Sequence, residues 1–252
     1  MQDIVIVAPV DVEVELDALA QRYRAAGGIG IQVLNAVGGK AESLLDKLPQ
    51  QVRGGLTEAT ERALSLAMRA AQGSRRAVPK QTERGNMVWT TAMGAAGGLG
   101  GLSTALVELP VTTTVLLRAI QDVAASYGFD PASENVQFDC IRVFSAAGPL
   151  AVDDGADLGF VSLRLTLTGN AMQKMIAAVA PRLAAAMGQK LAVQSVPILG
   201  AMAGASVNYV YTRYYQQIAH VHFGLRKLAI DADIPHGELV SRLSDRVALA
   251  AR

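Results

Sequence analysis

The sequence predicts an all-α fold: one multi-helix bundle spanning residues 1–252, with two central glycine-rich apolar helical segments. Three observations predict it. Apolar residues recur at helical spacing along most of the chain. Glycine and proline punctuate those stretches where helices should stop. The stretches Gly85–Val107 and Leu191–Thr212 carry no charged residue, so each reads as a helix enclosed by others or as one that meets lipid.

The elements follow in order. Leu16, Leu19, Ala20 and Tyr23 mark a helix over 12–26 that should end at Gly27-Gly28, and a second pattern runs from about 30 to Pro49. Over 55–72, Leu56, Ala59, Ala63, Leu66, Ala67 and Ala70 line one face while Glu58, Arg62 and Arg69 line the other. Gly73 through Arg84 reads as a loop. After Pro110 a helix over 111–127 places Val111, Val115, Leu116, Ile120, Val123 and Tyr127 on one side, with Thr114, Arg118, Gln121 and Asp122 opposite. Gly128 should close it from the left-handed region. Asp130-Pro131 reads as the cap and first residue of a helix to about 145, with Val136, Cys140 and Phe144 inward. Residues 161–168 alternate as a strand would, but a lone strand lacks a partner, and the stretch is read as helix. A helix from Asn170 restarts at Pro181 and stops at Gly188. The second uncharged segment flows into a helix to about 230, with Val207, Tyr211, Tyr214, Ile218, Val221, Leu225 and Leu228 inward and Arg213, Gln217, His220 and Lys227 outward. Pro235 opens a terminal helix.

Composition narrows the function classes. The chain is 51% hydrophobic and only 18% charged, and its mean hydropathy is +0.27. Average domains carry about 25% charged residues. With 23 basic against 22 acidic side chains and no basic stripe, nucleic acid is not an expected partner. A single cysteine, Cys140, permits no intramolecular disulfide and suits a reducing compartment. The N-terminus lacks the basic region of a secretory signal, so the expected location is cytoplasmic, with a peripheral position at the inner face of the membrane as the extension.

The glycine spacing has two readings. Gly94 and Gly98, Gly97 and Gly101, and Gly200 and Gly204 are small-xxx-small pairs that let helix backbones approach closely, in lipid or in a tight core. Both uncharged segments reach the ~20 residues of a bilayer span. Their Gly, Ala, Ser and Thr content, with Pro110 ending one and Pro197 inside the other, disfavours permanent insertion. No Gly-Lys-Ser/Thr follows the glycines, so a phosphate loop is excluded. No metal is expected: His220 and His222, two apart on a helix, point in different directions, and His236 stands elsewhere. Asp153-Asp154-Gly155-Ala156-Asp157 lacks the ligand spacing of a calcium loop and reads as a helix start. Cys140, on an apolar face, reads as a core residue. No cofactor is implied.

Two runs carry a resemblance. Leu109-Pro110, Leu116 through Ala124 and Tyr127-Gly128 form the first; Pro197 through Ala205, Asn208-Tyr209, Arg213 and Phe223 form the second. Together they resemble the signature of the EcsC protein family, with order and spacing matching over roughly 55–230. Phe160 and Arg164 fall where that family shows an aromatic residue and an arginine one turn apart. The resemblance implies a helical, bacterial-type protein of a family named from an operon encoding an exporter. It carries no catalytic residues, because the family has no established activity. The polar signature residues Arg118, Asp122, Asn208, Tyr209 and Arg213 read either as a helix-packing network or as a polar site between the glycine-rich helices. Three functions stay open: a non-enzymatic membrane-associated accessory protein, a hydrolase-like enzyme using Arg118, Asp122 and Asn208, and a scaffold binding a partner helix. The partner expected for the first is a membrane surface or a membrane protein.

Overall fold

Helical periodicity becomes helical structure throughout the computed structural model, which describes residues 10–37, 45–46, 48–74, 102–146, 171–194 and 200–249. These residues form α1 (Val12–Val37), α2 (Gln50–Ser74), α3 (Leu102–Ser126), α4 (Glu134–Val143), α5 (Ala171–Gln194), α6 (Gly200–Asp231) and α7 (His236–Leu249). No strand occurs among the described residues, and the all-α class stands. None of their helices is long and apolar enough to cross a membrane. The alternating stretch 161–168, the acidic loop 153–157, Phe160 and Arg164, and most of the first glycine-rich segment lie outside them.

Cap chemistry sets several boundaries. Asp11 Oδ1 accepts the backbone N–H groups of Glu13 (3.1 Å) and Val14 (3.2 Å), satisfying two free donors at the start of α1, and Glu13 and Glu15 complement the helix dipole there. At the end of α3, Gly128 takes φ +84°. Its N–H donates to Ala125 O (3.1 Å) while the Phe129 N–H reaches back to Ala124 O (3.1 Å), the pair of bonds that defines a Schellman closure. Asp130 then makes a turn through its side chain, accepting the Ala132 N–H at 2.9 Å. The next helix consequently starts at Glu134 with Ser133 as cap, three residues later than Asp130-Pro131 suggested.

Breakers proved weaker than packing. α1 runs through Gly27-Gly28 and α2 through Gly73. α3 contains Pro110 and α5 contains Pro181 and Gly188 in its interior, whereas the sequence reading stopped or restarted helices there. Each proline removes one backbone donor, an expense that burial of the flanking faces offsets. Leu109, Leu116 and Leu117 around Pro110, and Val179, Ala180 and Leu183 around Pro181, are all buried. The uncharged 191–212 stretch is divided between the end of α5 and the start of α6.

α6 is the centre of the bundle. At 32 residues it is the longest described helix, and it packs against α1, α3, α4, α5 and α7. Surrounded this way, it has almost no outward face: from Val207 to Leu225 only Tyr209, Arg213 and Gln217 are half-buried, and everything else is buried. His220, expected outside, is therefore inside at 7% exposure. α1 and α7 pack on one another and on α6, while α2 lies against α3 and α5. Two errors on surface faces have the same origin. Gln121 is buried where α3 has neighbours, and Val111 and Leu66 are exposed where α3 and α2 lack them.

Among the described residues, glycine allows a close approach at Gly188 and Gly224. A Cβ at Gly188 of α5 would sit 2.6 Å from Leu45 Cδ2 and 3.0 Å from Leu56 Cδ1. One at Gly224 of α6 would sit 2.6 Å from Leu19 Cδ2 and 3.3 Å from the Tyr127 hydroxyl. Gly94, Gly98 and Gly101 lie outside the described residues; Gly200 and Gly204 lie in the first turns of α6, where the backbone alone is described.

Candidate functional site

Three constellations concentrate the chemistry. The polar signature residues divide between α3 and α6. Arg118 and Asp122 are half-buried, four residues apart on α3. Asn208 is buried on α6, its backbone carbonyl accepting the Thr212 hydroxyl at 2.8 Å. Tyr209 and Arg213 are joined directly, Arg213 Nη1 donating to the Tyr209 hydroxyl at 2.9 Å. Within Val207–Leu225 they share the less-buried strip with Gln217, whose Oε1 accepts Arg22 Nη1 of α1 at 3.2 Å. A four-residue spacing on a helix puts these side chains one above another along one line of the central helix.

The second constellation is a charge cluster between α4 and α6 that sequence reading missed. Asp139 stands in a helix buried on nearly every side, with only 12% of its side chain exposed. A carboxylate in that position needs cationic partners. Arg226 Nη1 donates to Asp139 Oδ2, His222 Nε2 lies 3.2 Å from Oδ1, and Arg142 Nη1 lies 3.5 Å from the same oxygen. Burial alone would raise the Asp139 pKa; the hydrogen bond and electrostatic interaction with His222, then the positive charges of Arg226 and Arg142, outweigh it and hold the carboxyl below its ordinary value of 3.8. The α3–α4 turn completes the cluster. Gly128's left-handed backbone directs the chain so that Phe129 lies under Arg226, whose Cζ is 4.5 Å from the ring centroid. Phe129 also packs on Phe223 at 5.7 Å between centroids. The available signal was a charged residue inside an apolar helix, together with His222 and Arg226 one turn apart on α6.

The two histidines of α6 do point in different directions, as their spacing requires. His222 faces Asp139, while His220 Nδ1 is 3.3 Å from the Tyr127 hydroxyl on α3. No group of three or more metal-ligating side chains is found among the described residues. Cys140 is a free, fully buried core residue. Elsewhere on α6, Tyr211 donates to Ala186 O at 2.7 Å, tying α6 to α5, and burial pushes its pKa well up.

The third constellation is a surface groove of about 590 Å³ between α2 and α5. Leu66, Ile176 and Ala177 give it an apolar strip; Glu61, Arg62, Ser65, Arg69 and Gln173 give it a polar one. Leu66 is 46% exposed there. Arg62 is held by an ion pair to Glu58 one turn back.

Fold and site together define an all-α helical bundle organised on one enclosed helix, with a buried charge cluster and an open amphipathic groove. The chain belongs to the EcsC protein family, whose pattern it matches over residues 32–228. It is similar to the uncharacterized protein YdbA of Bacillus subtilis (strain 168), 27% identical over 103 residues, which cover 40% of this chain and 35% of that protein. The chain thus spans about a third of the length of this relative. No solved structure matches.

Proposed function

We propose that this EcsC-family chain is a non-enzymatic accessory protein that works at a membrane surface, taking an apolar or amphipathic group into the groove between α2 and α5. The groove is the observation that supports this reading. It is open, its volume falls within the ~300–1,000 Å³ of ordinary ligand sites, and it sets exposed Leu66 beside Ile176 and Ala177 between charged rims. Such a surface suits shallow contact with the headgroup–acyl boundary: an apolar strip enters while Arg62 and Arg69 stay with the headgroups. Catalysis is less well supported, because the His222–Asp139 pair is buried, with His222 at 1% exposure, and a substrate must reach a catalytic group.

The test is flotation of the detergent-free protein with liposomes. We expect the wild type to float and to be released by a high-salt or carbonate wash, and Leu66→Asp to stay at the bottom of the gradient. Protein that leaves the membrane only in detergent would point to a true span. Protein that never meets liposomes would remove the membrane reading and favour a scaffold for a partner helix.

A further inference from the structure

The charge cluster between α4 and α6 does not balance. Among the described residues, Asp139 is the one carboxylate paired with either Arg142 or Arg226, so two guanidiniums share a single negative charge before His222 is counted. One carboxylate can accept only part of what they offer, since each guanidinium carries five N–H donors. The surplus has structural marks. Arg142 Nε is buried and has no hydrogen-bond partner among the described residues. Arg226 is laid against the Phe129 ring, which fixes the plane of its fork without neutralising it. Both arginine side chains keep an outer part in solvent, 18% for Arg142 and 28% for Arg226, while Asp139 lies deeper at 12%. Both forks meet the same carboxylate, Arg142 at Oδ1 and Arg226 at Oδ2, which sets the two guanidiniums side by side.

We propose that Arg142 and Arg226 form the two jaws of an oxyanion site that takes a phosphate group, with Asp139 and Phe129 holding the jaws in place. Phosphate suits the site because its several equivalent acceptor oxygens can receive N–H groups from two planar forks at once. The electrostatics agree. Burial comes first and the charge of Arg226 adds to it in holding the Arg142 guanidinium below its ordinary value, even with Asp139 beside it. A bound anion would relieve that repulsion. The site is distinct from the α2–α5 groove and does not depend on it.

The phosphate can belong to a free ion or to a lipid headgroup, and the experiment separates the two. Calorimetric titration of the whole protein with inorganic phosphate, at fixed ionic strength maintained with chloride, reads the free ion. Binding to phosphatidylcholine vesicles with and without phosphatidylglycerol reads the headgroup. We expect saturable binding in at least one arm, weakened about tenfold or more in Arg142→Gln, the loss that follows from removing one charge-assisted contact. Gly54→Ala, on α2 and outside the α2–α5 groove, should leave this binding unchanged. If Arg142→Gln does not fold, Arg142→Lys keeps the charge and loses the fork, and should still weaken binding severalfold. Absence of binding by the wild type in both arms overturns the proposal, as does undiminished binding by a folded Arg142 variant.

Discussion

Asp139 is where a single side chain carries most consequence. Replacing it with asparagine leaves two partly buried guanidiniums facing one another, and we expect Asp139→Asn to cost about 2–3 kcal/mol in urea unfolding. Its pH signature follows from the lowered folded pKa. As pH falls, the unfolded chain takes up a proton at this carboxyl before the folded one does. The stability Asp139 provides is therefore complete well above 3.8 and is lost as pH drops through the lower folded value. Acid unfolding below about pH 4 should be shallower in Asp139→Asn than in the wild type, and parallel curves would remove the ion cluster as its cause. The cluster was not legible beforehand because His222 and Arg226 lie on a helix more than eighty positions away, and spacing along a chain reports only neighbours on the same helix, such as Arg142. Cys140 beside it was legible, since an apolar face predicts a core thiol without naming any distant partner.

At the scale of elements, the position of a glycine decides its worth. Gly54 lies within α2 with nothing inside 4 Å of an added Cβ, so Gly54→Ala should gain about 0.5–1 kcal/mol from helix propensity alone, read as a raised Tm. Gly188 lies against Leu45 and Leu56, and Gly188→Leu should instead overpack the contact between α5 and the α2 region and cost about 1–3 kcal/mol. Equal melting temperatures for the two variants would contradict this packing. The long helices and the Gly128 closure were readable because periodicity and cap chemistry are local. The passage of α3 and α5 through Pro110 and Pro181 was not, since a proline's local penalty is outweighed by partners that only the folded bundle supplies. The same reasoning explains His220: an outward face cannot be read for a helix that other helices enclose.

In the whole molecule, the first described helix and the last close on each other. Arg242 and Arg246 of α7 pair with Glu13 of α1, and Arg246 Nε lies 2.9 Å from Asp17 Oδ1. Exposed pairs of this kind contribute little each, and the apolar core beneath them carries more: Leu16, Leu19 and Leu243 are all buried to 3% or less. The Glu13–Arg242 contact joins residues 229 positions apart. Helical proteins usually fold quickly because their contacts are local, and this one gives up part of that advantage. Docking α1 onto α6 closes a loop of nearly the whole chain, an entropic cost met only after α6 has partners of its own. Leu16→Ala, which should cost about 2–4 kcal/mol, is expected to speed unfolding while leaving the refolding rate nearly unchanged; a matching loss in refolding rate would place α1 in the folding nucleus instead. On this account the enclosure of α6 leaves α1 to arrive last, and its departure would set how long the folded bundle persists.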